Sequence, residues 1–144
     1  MNVVFLTTDD PLYLPSLFDR VLSERSDRAT VFVVPPLYKN QGALQAAWRY
    51  VRTFGVPAGW MLARHTIAAK MHRRSIAAVC ERHRVPCEPI RDVNDPLFIA
   101  RLRETGAELI VSVSCPQIFE QPLIELPRRG CINVHFSLLP RYRG

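Results

Sequence analysis

The chain has 144 residues, 48% of them hydrophobic and 22% charged, with 19 Lys and Arg against 13 Asp and Glu. That is one domain with enough chain to bury a core, and the balance excludes a disordered or low-complexity polymer. No apolar run reaches the ~20 residues of a membrane span. "MNVVFLTTDD" turns acidic before any leader pattern develops. Neither a span nor a signal peptide is therefore expected, no membrane partner is expected, and the location is expected to be cytoplasmic.

In chain order, NVVFLTT at 2–8 is a short β-branched and aromatic run and is predicted to be a buried strand. Asp9, Asp10 and Pro11 signal a helix start. Leu12, Leu14, Leu17, Phe18, Val21 and Leu22 give that helix an apolar face. TVFVVPP at 30–36 is a second strand, ended by prolines. Leu44, Trp48, Val51 and Gly55 recur at helical spacing. Gly55, Pro57 and Gly59 interrupt the pattern, and Trp60, Met61, Arg64, Ile67, Ala68, Met71, Ser75, Ala78 and Val79 resume it. The Trp and Met positions are expected to face the core.

VPCEPI at 85–90 is read as a third strand, and Asp95-Pro96 caps a helix that Gly106 terminates. ELIVSVS at 108–114 is a fourth strand. PQIFEQPLIELP at 116–127 is a short helix interrupted near Pro122, and CINVHFS at 131–137 is the last strand. Strands alternating with helices predict an α/β fold with a mostly parallel sheet and helices on both faces. No G-x-G-x-x-G follows the first strand, so a dinucleotide cofactor of the usual type is not supported.

The four cysteines, Cys80, Cys87, Cys115 and Cys131, form no paired framework and are expected to be reduced thiols. Cys80, His83 and Cys87 can be drawn as zinc ligands, but they lack a fourth ligand and a matching spacing. From Lys39 to Arg84 there are nine Lys and Arg and one acidic residue, Glu81. Such a block suits phosphates of a nucleic acid, a nucleotide or a membrane, and it is equally the look of a solvated helix face.

The last strand departs from the others. Parallel strands covered on both faces are normally apolar throughout. Here period-2 alternation places Asn133 and His135 on one face, about 6–7 Å apart. His135 and Ser137 lie at the carboxyl end, where open α/β sheets bind ligands. An amide and an imidazole pointing together can donate to an oxygen that becomes negative, and the imidazole can shuttle a proton near neutral pH. The same alternation marks an edge strand with one wet face, and spacing alone leaves both readings open. Ser137 and His135 share a face, but no nucleophile elbow accompanies them.

INVHFSLLPRYRG, at 132–144, closely resembles the signature of the tetrahydrofolate-dependent formyltransferases: Asn-x-His, then Ser-Leu-Leu-Pro and an aromatic-Arg-Gly. The resemblance runs back through GAELIVSVSCPQIFEQPLIELPRRG and covers about forty residues. It implies a Rossmann-like sheet and transfer of a formyl group from 10-formyltetrahydrofolate to a primary amine. By that likeness Asn133 and His135 are the catalytic candidates. Pro116, Gln117, Ile118 and Phe119, with Ser137, Leu138, Leu139 and Pro140, would line the folate pocket. Apolar Ile118, Phe119, Leu138 and Leu139 suit a flat pterin whose edge bonds to backbone groups.

Three departures from the family pattern stand out. The family also uses an aspartate well after the His motif, and none follows His135 here. Residues 1–144 are therefore expected to be an incomplete N-terminal catalytic domain, lacking its C-terminal portion. TTDDPLY stands where glycinamide ribonucleotide formyltransferases carry a Gly-rich phosphate loop. The Gly-Thr-Pro of methionyl-tRNA formyltransferases is missing, and Phe136 replaces their usual small residue or proline. By elimination the acceptor is expected to be a sugar-nucleotide amine or another amine, with tRNA not favoured. The alternatives are a nucleic-acid or phosphate-binding module built on the 39–84 block, and a non-catalytic fragment of the same fold.

Overall fold

Val, Phe and Leu fill the first strand until Thr7, and these residues form β1, Val3–Thr8. The computed structural model describes residues 1–25, 28–35, 48, 51–71 and 75–135. Its other strands are β2 (Ala29–Val34), β3 (Cys87–Pro89), β4 (Leu109–Val113) and β5 (Cys131–Val134). Its helices are α1 (Leu14–Arg25), α2 (Val56–Met71), α3 (Ile76–Arg82), α4 (Pro96–Glu104) and α5 (Gln121–Ile124).

The five strands form one parallel sheet in the order β3-β2-β1-β4-β5. Phe5 lies beside Val31 on one side and Val111 on the other. The order reverses at β1, so the carboxyl ends of β1 and β4 flank a switch point, the place where such sheets hold ligands.

Alternation along the strands feeds two cores. Phe5, Val31, Val111 and Val113 pack with Leu14, Phe18 and Leu22 of α1 and with Ile76, Val79 and Cys80 of α3. Val4, Leu6, Phe32 and Ile110 pack on the opposite face with Phe98, Ile99 and Leu102 of α4 and Leu123 of α5. Each core has an edge-to-face aromatic pair, Phe5 with Phe18 at 5.5 Å and Phe32 with Phe98 at 4.9 Å. Such a pair adds about 1 kcal/mol beyond its burial.

The predicted ends are set by side chains. Asp95 accepts from the Leu97 N–H at 2.9 Å, with Pro96 opening α4. Gly106 follows the helix at φ +66°, where a side chain would be strained. The acid-proline signal at Asp10-Pro11 makes a turn first: Asp10 accepts from the Leu12 N–H at 2.8 Å, and α1 begins at Leu14.

The aromatic stripe of the basic block is a correction. Trp48, Trp60 and Met61 were expected in the core, yet they are 63%, 75% and 55% exposed, and Ile67 of the same helical pattern is 59% exposed. Helical periodicity groups residues on one face but does not say which way that face turns. Leu44 lies outside the described residues, as do Ser137 to Pro140.

Candidate active site

Asn133 is held by its partner strand. In the β4–β5 ladder Ile110 pairs with Cys131, Ser112 with Asn133 and Val113 with Val134. The Cys131 thiol donates to the Leu123 and Ile124 carbonyls, so Cys131 lies under α5. Two residues on, the alternation puts Asn133 on that same side, and His135 follows directly after the end of β5. Asn133 is exposed, His135 is half-buried and Ser112 is buried.

The loop after β4 is fixed by a reciprocal clamp. Gln117 accepts from the Val93 N–H at 2.8 Å and donates to the Arg91 carbonyl at 2.7 Å. Asn94 donates to the Ile118 carbonyl and accepts from the Glu120 N–H, both at 2.9 Å. Gln117 therefore positions the loop from inside, with its amide already engaged. Ile118 is 88% exposed at the rim, and Phe119 packs against the α4 core. Pro116 is half-buried beside them. Sequence reading missed Asn94, which signals only a turn before Asp95-Pro96. Its partners lie 24 and 26 residues away.

Two further features mark the switch point. Ser114, directly after β4, has φ +51°, an uncommon conformation for a residue with a side chain. Thr8 Oγ1, at the end of β1, is buried with no hydrogen-bond partner among the described residues, a costly state that a bound polar group relieves. Burial pushes the Cys115 thiol up, against an opposing backbone hydrogen bond at Gln117. It is a neutral thiol near pH 7 and not a nucleophile of the thiolate kind.

The other side of β5 is different in kind. Ile132 and Val134, with Val3, Phe5, Leu17 and Val111, line an apolar cavity of about 600 Å³ beside α1. Its walls are mostly aliphatic and aromatic, with Arg28 the one charged side chain among them. Among the described residues no three His, Cys, Asp or Glu side chains gather to hold a metal. Of the set drawn from the sequence, His83 is turned to Asp19 at 2.8 Å.

A parallel sheet of this order, with polar side chains at its carboxyl edge, defines a Rossmann-like ligand-binding domain. More narrowly, the chain belongs to the formyl transferase family, whose sequence model matches residues 1–144. It is 46% identical over 69 residues to a methionyl-tRNA formyltransferase of Geobacter metallireducens, covering 48% of this chain and 22% of that protein. It is 44% identical over 70 residues to a methionyl-tRNA formyltransferase of Thermosynechococcus vestitus, covering 48% of this chain and 21% of that one. The matched 69–70 residues thus cover about a fifth of the length of these curated relatives. A crystal structure of glycinamide ribonucleotide transformylase 1 from Symbiobacterium toebii aligns with all of this chain and 55% of its own. The TM-score is 0.54 at 13% identity, a likeness of fold.

Proposed function

We propose that the protein carrying this chain transfers a formyl group from 10-formyltetrahydrofolate to a primary amine, with Asn133 and His135 as the polarising pair. The observation that supports this reading is the register of Asn133 beside Ser112 of β4, with His135 directly following the end of β5. The donor brings the formyl carbon. The amine nitrogen bonds to that carbon as its bond to the folate nitrogen breaks; the amine loses a proton and the folate nitrogen gains one. Asn133 donates its amide N–H to the oxygen on which negative charge develops, and His135 donates a ring N–H to the same oxygen.

The rim fits such a donor. Ile118 and Phe119 give apolar surface for a flat ring, Thr8 Oγ1 is an unpaired polar atom at the switch point, and the clamp holds the 116–119 loop in place. Ser137, Leu138, Leu139 and Pro140 complete the donor pocket in this reading, from the sequence signature. The acceptor is drawn from two groups, a sugar-nucleotide amine and methionyl-tRNA. The names of the curated relatives support the second; the absence of Gly-Thr-Pro in the first strand supports the first.

The test incubates the full-length protein with 10-formyltetrahydrofolate and each acceptor in turn, and follows tetrahydrofolate release. Turnover is expected with one acceptor class, and His135→Ala lowers it on the order of 10²–10³-fold. Absence of turnover with every primary amine, or an undiminished rate in His135→Ala, overturns the proposal.

A further inference from the structure

All four cysteines are free thiols, but their sulfurs meet different partners. The Cys131 thiol donates to backbone carbonyls of α5, and Cys115 stands beside the Gln117 backbone. Cys80 and Cys87 meet each other: their thiols share a hydrogen bond.

The fold builds this contact. Ser75 opens α3, its hydroxyl accepting from the Ala78 N–H at 3.2 Å, and Ile76, Val79 and Cys80 form the buried face of the helix. α3 ends at Arg82, and Arg84 turns the chain at φ +57°, in the left-handed region. The Val85 N–H closes the turn by donating to the carbonyl of Cys80 itself at 2.8 Å. The Pro86 carbonyl then accepts from the Val31 N–H at 2.9 Å, which sets Cys87 opposite Val31 at the start of β3. Both cysteines therefore enter one core, among Val31, Val79 and Val85.

Burial separates their roles. Cys80 is fully buried and Cys87 is half-buried. The hydrogen bond from Cys80 holds the Cys87 thiol below its ordinary 9.0, against burial and the Asp9 and Glu88 carboxylates. The same bond, with burial, pushes Cys80 up. Cys87 is thus the sulfur that ionises and meets solvent, with Cys80 protonated behind it.

We propose that Cys80 and Cys87 are a modification site at which a hydroperoxide closes a disulfide between α3 and β3. The Cys87 thiolate attacks hydrogen peroxide: an S–O bond forms, the O–O bond breaks, and the departing hydroxide takes the proton that Cys87 gave up. That leaves a sulfenic acid and one water. The Cys80 sulfur then attacks Cys87: the S–S bond forms, the S–O bond breaks, and hydroxide leaves with the Cys80 proton as a second water. Two thiols and one peroxide become one disulfide and two waters. Sulfurs already in hydrogen-bond contact have only a short approach to the about 2.05 Å of that bond. A metal is the other use of two facing thiols, but it needs more ligands. His83 is taken by Asp19, and no three ligating side chains gather among the described residues.

The full-length protein is treated with hydrogen peroxide, denatured, alkylated with iodoacetamide and digested with trypsin without reductant. Cleavage after Arg74, Arg82, Arg84 and Arg91 puts the two cysteines on separate peptides, 75–82 and 85–91. The expected product is those two peptides joined, lighter than their sum by two hydrogens and separated by dithiothreitol, with Cys115 and Cys131 still alkylated. Cys80→Ser is expected to stop the reaction at a Cys87 sulfenic acid that dimedone tags. Cys87→Ser is the second variant, in case the buried change disturbs folding, and circular dichroism checks both. In it the loss of Cys80 thiol to peroxide should slow by roughly tenfold or more. The proposal is overturned if both thiols stay alkylatable after peroxide, or if Cys87 goes on to sulfinic acid beside a free Cys80. A disulfide to Cys115 or Cys131 in place of the pair, or an unchanged loss of Cys80 thiol in folded Cys87→Ser, overturns it equally.

Discussion

Gln117 and Asn94 each bind the loop that carries the other. Gln117 reaches the backbone of Arg91 and Val93, and Asn94 reaches the backbone of Ile118 and Glu120. Four bonds of 2.7 to 2.9 Å join the segments that follow β3 and β4, far apart in sequence and adjacent at the carboxyl edge.

Removing either side chain leaves two bonds unmade, at about 1 kcal/mol each. Gln117→Ala and Asn94→Ala are each expected to destabilise by about 2 kcal/mol in urea unfolding. The double variant should cost less than the sum, because both bonds hold one joint. In the full-length protein both should raise KM for the folate donor more than they lower kcat, since the loop positions and does not react.

Asn133→Ala is expected to behave the other way. Asn133 is exposed at the edge of the sheet, so stability should change by less than about 0.5 kcal/mol. Donation to a developing negative charge predicts a fall in kcat on the order of 10²–10³ with little change in KM. Steady-state kinetics on the full-length protein, with a thermal melt as control, measures both.

Asp19 joins α1 to α3, accepting from Arg82 at 2.8 Å and lying 2.8 Å from His83 Nε2. The His83 hydrogen bond, against some desolvation and aided by the Arg82 charge, holds its carboxyl below the ordinary 3.8. A depressed carboxylate stabilises the fold fully above the unfolded value and loses that contribution as pH falls through the folded one. The melting temperature of the native chain should therefore exceed that of Asp19→Asn at neutral pH. The gap should close as the pH is lowered below 3.8.

Gly106 sits at φ +66° with nothing within 4 Å of an added Cβ, so Gly106→Ala tests backbone strain alone. It should cost about 1 kcal/mol, or about 3–4 °C in melting temperature. Activity should be unchanged, since the residue ends α4 at the opposite edge of the sheet from Asn133.

Much of the architecture was legible in the sequence, because β1 and β4 are short, mostly apolar runs rich in β-branched residues and Asp95-Pro96 and Gly106 are local signals that tertiary packing did not override. The strand that carries Asn133 was legible as well, because its alternating pattern is two-fold. What could not be read depended on distance along the chain. Nothing local to Asn94 points to Ile118, and Gln117, expected to line a pocket, spends its amide on a neighbouring loop. The outward turn of Trp60 and Ile67 shows the other limit. Spacing fixes which residues share a side, but the solvent or partner that side meets is decided elsewhere.

Among the described residues β5 lies at one edge of the sheet, with β4 as its neighbour and a burial pattern that leaves Ile132, Asn133 and Val134 exposed. Outer strands open at lower free energy than the middle of a sheet. Amide hydrogens of 131–134 should then exchange with deuterium well before those of β1, while the two cores stay closed. In these 144 residues the pair proposed to react, Asn133 and His135, rides on a part of the sheet that lets go early.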